Sequence, residues 1–261
     1  MLVNADCFDV FPSIVDNAVD LVLVDPPYNQ TKLEWDVGLD LDRLWAELKR
    51  ICKHKALIIF FTTTRYGVTL INSNPKWFRY DLVWSKPSSN AGFQTANKKP
   101  MQRHEMIYVF ADPTAIHKTY NPQKIAGTPY VNGGYECKSS TYGIIRAPPK
   151  KKNDGSRHPS SILEHNLTGE KRLHPTQKPL PLCEWLIKSF SNENDVVMDC
   201  TMGSGSTIIG ALNTNRNFIG IEKDEEIFNV AMERIGVMPD TRHRLNPTLI
   251  TEQTEVPSQT S

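Results

Sequence analysis

The sequence predicts an α/β fold: a doubly wound, mostly parallel sheet with helices on both faces and a lobe inserted near its middle. Three observations carry this. Short apolar runs alternate with helix-period segments up to about residue 111. That periodicity fades over 112–173, where Pro, Gly, Lys, Asn, Ser and Tyr dominate; a structureless loop of that length is uncommon inside a compact domain, so a separate lobe is expected. Strand, glycine turn, helix, strand and helix then follow closely up to residue 236.

Taken in order, strands are expected at 1–4, 20–24, 56–61, 80–84 and 106–110. Residues 41–52 read as a helix because Leu41, Leu44, Trp45, Leu48 and Ile51 recur at helical spacing. Beyond the lobe, a helix is expected at 181–190 and a buried strand at 195–199. A helix at 204–213, a strand at 218–222 and a helix at 225–235 complete the pattern. Residues 237–261 are polar, proline-dotted and aperiodic, which predicts a flexible tail. The expected organisation is therefore 1–111, an insertion at 112–173, a second half of the sheet domain at 174–236, and the tail.

The 261 residues suffice for one substantial core with room for an inserted lobe. No apolar run is long enough to span a membrane, and no basic region precedes an apolar stretch at the N-terminus, so a cytoplasmic location is expected. The cysteines Cys7, Cys52, Cys137, Cys183 and Cys200 are odd in number, widely spaced and without a Cys-x-x-Cys, which argues against a disulfide framework and a zinc site. The net charge of +1 hides an asymmetry. Residues 86–178 hold 15 Lys and Arg against 6 Asp and Glu, and the remainder is correspondingly acidic. A basic middle suggests a polyanionic partner; a solvated, lysine-rich loop region would give the same imbalance.

The stretch Asp25-Pro26-Pro27-Tyr28 follows the apolar run at 19–24. An exocyclic amine on a base is a poor nucleophile because its lone pair is conjugated into the ring. Asp25 can accept one of its N–H groups and the carbonyl of Pro26 the other, which pulls the nitrogen toward tetrahedral geometry. Proline suits this position because its φ is fixed and it has no N–H of its own. Tyr28 offers a ring face for an unstacked base. A strand ending in a Pro-Pro turn with a solvated Asp would carry the same tetrapeptide.

The second informative stretch is Val196–Thr207: a strand ending in Asp199, then Cys200-Thr201-Met202-Gly203-Ser204-Gly205-Ser206. Glycines let backbone approach a ligand closely. Ile208 stands where a dinucleotide fingerprint has its third glycine, and no Gly-Lys-Ser/Thr occurs, so pyrophosphate is disfavoured. Glu222 ends the next strand, 19 positions after Gly203, where a carboxylate can accept from ribose hydroxyls. A charge complementing the following helix is the plainer role for Glu222. Glycine turn, ribose carboxylate and no phosphate cradle together suggest S-adenosylmethionine. In a doubly wound sheet the strand ending near Asp6 would neighbour the one ending at Glu222, with Asp6, Cys7 and Phe8 flanking the adenine.

With these pieces the chain resembles the DNA amino-methyltransferases in the circularly permuted order called the β group, most of all the phage and prophage type of adenine methyltransferase. The resemblance rests on DLVLVDPPYNQTKLEWD, RYDLVWSKPSSNAGFQTANKKPMQRHEMIYVF, LHPTQKPLPLCEWLI, VVMDCTMGSGST and NFIGIEKDEEIFNVAMERI, and covers nearly all of residues 1–236. It implies a Rossmann-like methyltransferase sheet and transfer of methyl to the N6 amine of adenine in DNA. It also implies that 112–173 recognises the target, 1–111 is the catalytic half and 174–236 the cofactor half.

Under this resemblance Asp25, Pro26, Pro27 and Tyr28 form the catalytic motif. Cofactor contacts are expected from Asp6, Cys7, Phe8, Asp25, Thr176, Lys178, Asp199, Thr201, Met202, Gly203, Gly205, Ser206, Glu222 and Lys223, with Lys178 near the methionine carboxylate or simply solvated. Cys200 departs from the bulkier residues of relatives and reads as packing. DNA is the partner; a homodimer and a restriction endonuclease are compatible with the resemblance but not implied by it.

Weaker signals complete the reading. Lys150, Lys151 and Lys152 suit phosphate contacts, which give affinity without sequence choice; Asn153, Arg157 and His158 are candidates to read bases. Trp35 is a candidate for DNA or cofactor contact, or for the core. Arg103-His104-Glu105 reads as sheet-edge structure. No metal is expected, since His104 and His174 lack partners at ligand spacing. The nearest competing function is methylation of cytosine at N4, where Ser more often replaces Asp25. RNA or glutamine methylation, which more often carries Asn there, and a DNA-binding module without turnover are more distant.

Overall fold

The computed structural model of the chain describes residues 1–28, 38–88, 90–116, 118–132, 137–139, 141, 143–145, 151–166 and 177–236. It contains two compact units, one of Met1–Asn121 with Ser161–Ser261 and the other of Pro122–Ser160.

The first unit is built on an eight-stranded sheet. Its elements run β1 (Leu2–Asn4), α1 (Cys7–Val10), β2 (Val19–Val24), α2 (Leu41–Ile51), β3 (Cys52–Thr62), α3 (Thr64–Ser73), β4 (Phe78–Ser85) and β5 (His104–Ala111). In chain order the second unit follows with short strands β6 (Ile125–Ala126), β7 (Tyr130–Asn132), β8 (Cys137–Ser139), β9 (Gly143–Ile145), β10 (Lys151–Asn153) and β11 (Ser156–Arg157). These pair antiparallel as β7 with β10, β6 with β11 and β8 with β9. The first unit then resumes with β12 (Ile162–Glu164), α4 (Leu180–Phe190), β13 (Val196–Asp199), α5 (Ser206–Asn213), β14 (Asn217–Glu222) and α6 (Glu225–Gly236).

The strand order is β1-β14-β13-β2-β3-β5-β4-β12. Only β5 runs antiparallel to its neighbours, so the mostly parallel, doubly wound sheet of the sequence reading is present. The expected neighbourhood of the first strand and the one ending at Glu222 is also there, with Leu2, Val3 and Asn4 opposite Gly220, Ile221 and Glu222.

Strand β2 shows why the sheet is covered on both faces. Val22 and Val24 point into one cluster with Leu44, Trp45, Leu48 and Phe110, while Leu21 and Leu23 point into the other with Leu182, Leu186 and Ile208. Successive side chains of a strand alternate faces, so an unbroken apolar run requires helices on each side. Each such side chain, fully buried, contributes roughly 1.5–3 kcal/mol. Helix α2 starts where the Asp40 side chain accepts from the Arg43 N–H at 3.1 Å, and it passes directly into β3 at Cys52. Helix α3, not expected from the sequence, is capped in the same way by Thr63 on the Tyr66 N–H at 3.2 Å.

The expected insertion of 112–173 is wider than the second unit, for packing reasons at both ends. Tyr120 stacks on Phe190 with ring centroids 5.8 Å apart, and the Asn121 side-chain amide donates to the Ser191 carbonyl at 3.0 Å. At the other end Ile162, Leu163 and Glu164 pair with β4 as an edge strand. The expected tail at 237–261 lies outside the described residues. Among the described residues no helix is long and apolar enough to cross a membrane.

Candidate active site

Parallel strands bring their carboxyl ends to one rim, where a doubly wound sheet places ligands. Here that rim collects Asn4 of β1, Glu222 of β14, Asp199 of β13, Asp25 just past β2, and Thr62 and Ser85 at the ends of β3 and β4. Because β5 runs the other way, its first residues, His104 and Glu105, arrive at the same rim.

Asp25 leaves β2 there, with Pro26 buried and Pro27 and Tyr28 half-buried. The Tyr28 hydroxyl donates to Asp25 Oδ1 at 2.6 Å, and the Tyr28 ring lies 5.3 Å from that of Tyr66. Lys178 Nζ lies 2.7 Å from Asp25 Oδ2. Burial pushes the Asp25 carboxyl above its ordinary value, and Glu105 adds to this, against the lowering pull of Lys178 and Tyr28. Burial, with Asp25 beside it, pushes the Tyr28 phenol well up, so Tyr28 is a proton donor to Asp25 throughout the neutral range.

Lys178 makes a second ion pair, with Glu105 Oε2 at 3.2 Å, and the other oxygen of Glu105 takes Lys86. The ammonium also lies over the rings of Phe61 and Trp84, at 5.2 and 5.7 Å. Burial alone would lower the Lys178 pKa; Asp25 and Glu105 outweigh it and hold the ammonium above its ordinary range. Burial likewise raises Glu105, but Lys178 and Lys86 outweigh it and leave its carboxyl below the ordinary range. Charge-assisted N–H···O bonds are typically about 2.7–2.9 Å, so the tighter of the two lysine pairs is the one to Asp25. The sequence predicts sheet-edge structure for Glu105; the structure puts it in the charged cluster beside Asp25.

The glycine turn stands next to this cluster. Strand β13 pairs with β2, and the Thr201 hydroxyl donates to the Asp25 carbonyl at 3.1 Å. Asp199 is buried at the strand end, accepting from the Thr201 N–H at 3.1 Å, and burial pushes its carboxyl up to about 7. Gly203 has φ +51°, and a side chain added there would meet nothing within 4 Å, so bare backbone faces open space. Glu222 accepts the Gly203 N–H at 2.9 Å and the Asp224 N–H at 2.9 Å, and burial raises its pKa. Met202 is buried, and its sulfur lies 2.6 Å from where a side-chain carbon at Gly220 would stand, so the turn packs directly against β14. Gly205 caps α5, and Ser206 is buried at its start.

The remaining rim residues are placed as follows. Asp6 caps α1 through the Phe8 N–H at 3.0 Å and pairs with Lys223 at 3.0 Å. Arg43 lies over the Phe8 ring at 4.5 Å. Cys7 is buried, and the buried thiol of Cys200 is hydrogen-bonded to it. Thr176, His174, Trp35 and Lys150 lie outside the described residues.

In the second unit Lys152 and His158 are exposed. Asn153 Oδ1 accepts from Arg157 Nη1 at 2.7 Å and from the Gly155 N–H at 2.9 Å, and the Arg157 guanidinium lies over the Tyr130 ring at 4.5 Å. Asn153 and Arg157 thus hold the local turn together. Of Lys151 only its backbone place in β10 is described. No group of three or more His, Cys, Asp or Glu among the described residues is arranged to hold a metal ion.

Two carboxylates and open glycine backbone on one side, and a half-buried aspartate followed by prolines on the other, suit a small cationic ligand beside a hydrogen-bond-donating amine. Residues 19–233 match the family model described as DNA methylase. The chain is 30% identical over 250 residues to the type II methyltransferase M1.MboII of Moraxella bovis, covering 87% of this chain and 92% of that protein. Its fold matches the crystal structure of an M1.HpyAVI–SAM complex with a TM-score of 0.61 at 21% identity, over 91% of this chain and 99% of that one. It matches the PvuII DNA methyltransferase, described as cytosine-N4-specific, with a TM-score of 0.67 at 14% identity, over 92% and 86%. At such identities the two structures speak for the fold; the family match and the M1.MboII relationship go further, and the chain belongs to the DNA methylase family of the N6/N4 class.

Proposed function

We propose that this member of the family uses S-adenosylmethionine to methylate the N6 amine of adenine in DNA. The observation that carries the reading is the Thr201–Asp25 bond of 3.1 Å, which sets the glycine turn directly beside the amine-holding motif. S-adenosylmethionine supplies a methyl group on a sulfonium, whose leaving group is neutral, so no metal is required.

The chain's own residues do the rest. Glu222, Asp199 and the backbone at Gly203 provide acceptors and close approach for an adenosine-type cofactor, and the rim carboxylates favour its positive charge. Asp25 and the Pro26 carbonyl accept the two N–H groups of the target amine and localise its lone pair. Tyr28 offers its ring to a base taken out of the stack. Asp25 need not remove a proton first, because the amine becomes acidic once it carries the methyl group. Positioning and preorganised acceptors supply most of the acceleration. The inserted residues 112–173 are proposed to recognise the target, supported by their basic character and by the exposure of Lys152 and His158. Asp25 at the first motif position favours adenine over cytosine.

Expression in a host lacking DNA methylation, followed by single-molecule sequencing, tests this. N6-methyladenine in a recurring short context is expected. Modification confined to cytosine N4 would overturn the adenine assignment, and unmodified DNA from cells containing folded, cofactor-binding protein would overturn the activity.

A further inference from the structure

We infer that Glu105 is a positioning residue: by sharing the Lys178 ammonium it leaves the Asp25 carboxylate free to act on the target amine. This rests on the proposed reaction. Tyr28, Asp25, Lys178, Glu105 and Lys86 form one unbroken chain of contacts in which carboxylates and ammoniums alternate. Both Asp25 oxygens are already engaged, Oδ1 by Tyr28 and Oδ2 by Lys178. Each carboxylate oxygen has a second acceptor site, so a target N–H can still be taken, but by an acceptor whose charge is shared with a cation 2.7 Å away.

That cation opposes the chemistry. The amine nitrogen becomes positive as it takes the methyl group, and an ammonium bound to its acceptor would repel that charge. Lys178 is not placed to withdraw into solvent, since only 9% of its side chain is exposed and its ammonium lies over Phe61 and Trp84. A buried cation needs a partner. Glu105 is its second partner beside Asp25, and Lys86 fixes Glu105 from its other oxygen, over the Trp84 ring at 4.2 Å. With both carboxylates ionised the four charges sum to zero, and Glu105 divides the pull of the Lys178 ammonium with Asp25.

The assignment predicts an unusual pattern among variants. Glu105→Gln leaves the ammonium to Asp25 alone, and kcat should fall about 30-fold, with KM for S-adenosylmethionine within about threefold of wild type. Adding Lys178→Met to Glu105→Gln removes the unshared cation and should recover about tenfold of that loss. A purely structural Glu105 would make the double variant as poor as the single one or worse, and that result would overturn the inference. Methyl incorporation is measured with genomic DNA from a methylation-free host.

A second readout needs no turnover. With the Asp carboxyl carbons labelled with carbon-13, the Asp25 titration is followed by NMR. The groups facing Asp25 are Tyr28, Lys178, Glu105 and, from β13, Asp199. Glu105→Gln should move the Asp25 titration to lower pH, because a carboxylate that raises it is gone and the ammonium is no longer divided. An unchanged titration would overturn the inference even if the double variant fails to fold. Wild-type protein that binds S-adenosylmethionine yet leaves the genomic DNA unmethylated would count against the proposed reaction, while the titration would still decide the role of Glu105.

Discussion

The hydroxyl of Thr201 donates to the main-chain carbonyl of Asp25 at 3.1 Å, joining residues 176 positions apart. Because β2 and β13 are parallel neighbours, with Leu21 opposite Val197 and Val22 opposite Met198, the loops that follow them leave from one edge. The hydrogen bond then fixes the spacing between them. Thr201→Val keeps the shape and loses the donor. Stability should fall by about 1 kcal/mol, lowering Tm by roughly 2–4 °C, as read in a thermal melt.

Tyr28→Phe separates ring from hydroxyl. The ring proposed to receive an unstacked base remains, while Asp25 loses the donor 2.6 Å from Oδ1. That donor lowers the Asp25 pKa, as Lys178 does, against burial and Glu105. Its removal raises the pKa, and since the ionised carboxylate is the acceptor, the acid limb of the kcat–pH profile should move to higher pH. At neutral pH kcat should drop about tenfold, with Tyr28→Ala lower still.

Glu222 bonds the N–H groups of Gly203 and Asp224 at 2.9 Å each, so it shapes the turn as well as offering acceptors to a ligand. Hydrogen bonds to charged groups contribute about 1.5–3 kcal/mol. Glu222→Ala should therefore weaken S-adenosylmethionine binding about 10–100-fold by calorimetry, with helix content unchanged by circular dichroism.

Asp199 gives the protein a pH-dependent stability. Its folded pKa is pushed up to about 7 by burial, against an unfolded value of about 3.9. Between these values the folded state binds more protons than the unfolded state, so stability falls as pH rises from about 4 to 7 and levels off above. The full effect is roughly 4 kcal/mol at most. Asp199→Asn, neutral at every pH, should flatten this slope in urea unfolding at pH 5 and pH 8 and should be the more stable protein at pH 8.

The sheet was legible because its central strands carry buried apolar runs that end in chemistry-bearing residues, as at residues 21–24 before Asp25 and Val196–Asp199 before the glycines. Helix α3 was less so, since Val68, Thr69 and Gly67 weaken its helical character and its stability comes from Tyr66 and Leu70 buried in the core. Glu105 was missed because a charge at the start of a strand ordinarily faces water. Its partner Lys178 is 73 positions away, and only the antiparallel entry of β5 brings them together. The bond between Asn153 and Arg157 was not legible in the sequence, because it depends on a turn that composition does not reveal.

The central claim is that Asp25 and the glycine turn serve one reaction from two sides of a shared rim. Asp25→Ala, assayed in parallel for methyl incorporation into unmethylated DNA and for S-adenosylmethionine affinity by calorimetry, tests it most directly. Incorporation should fall at least about 10²–10³-fold, the loss expected for a principal polar group of the transition state, while the cofactor Kd stays within a few-fold of wild type. A variant that methylates DNA at the wild-type rate would contradict the account.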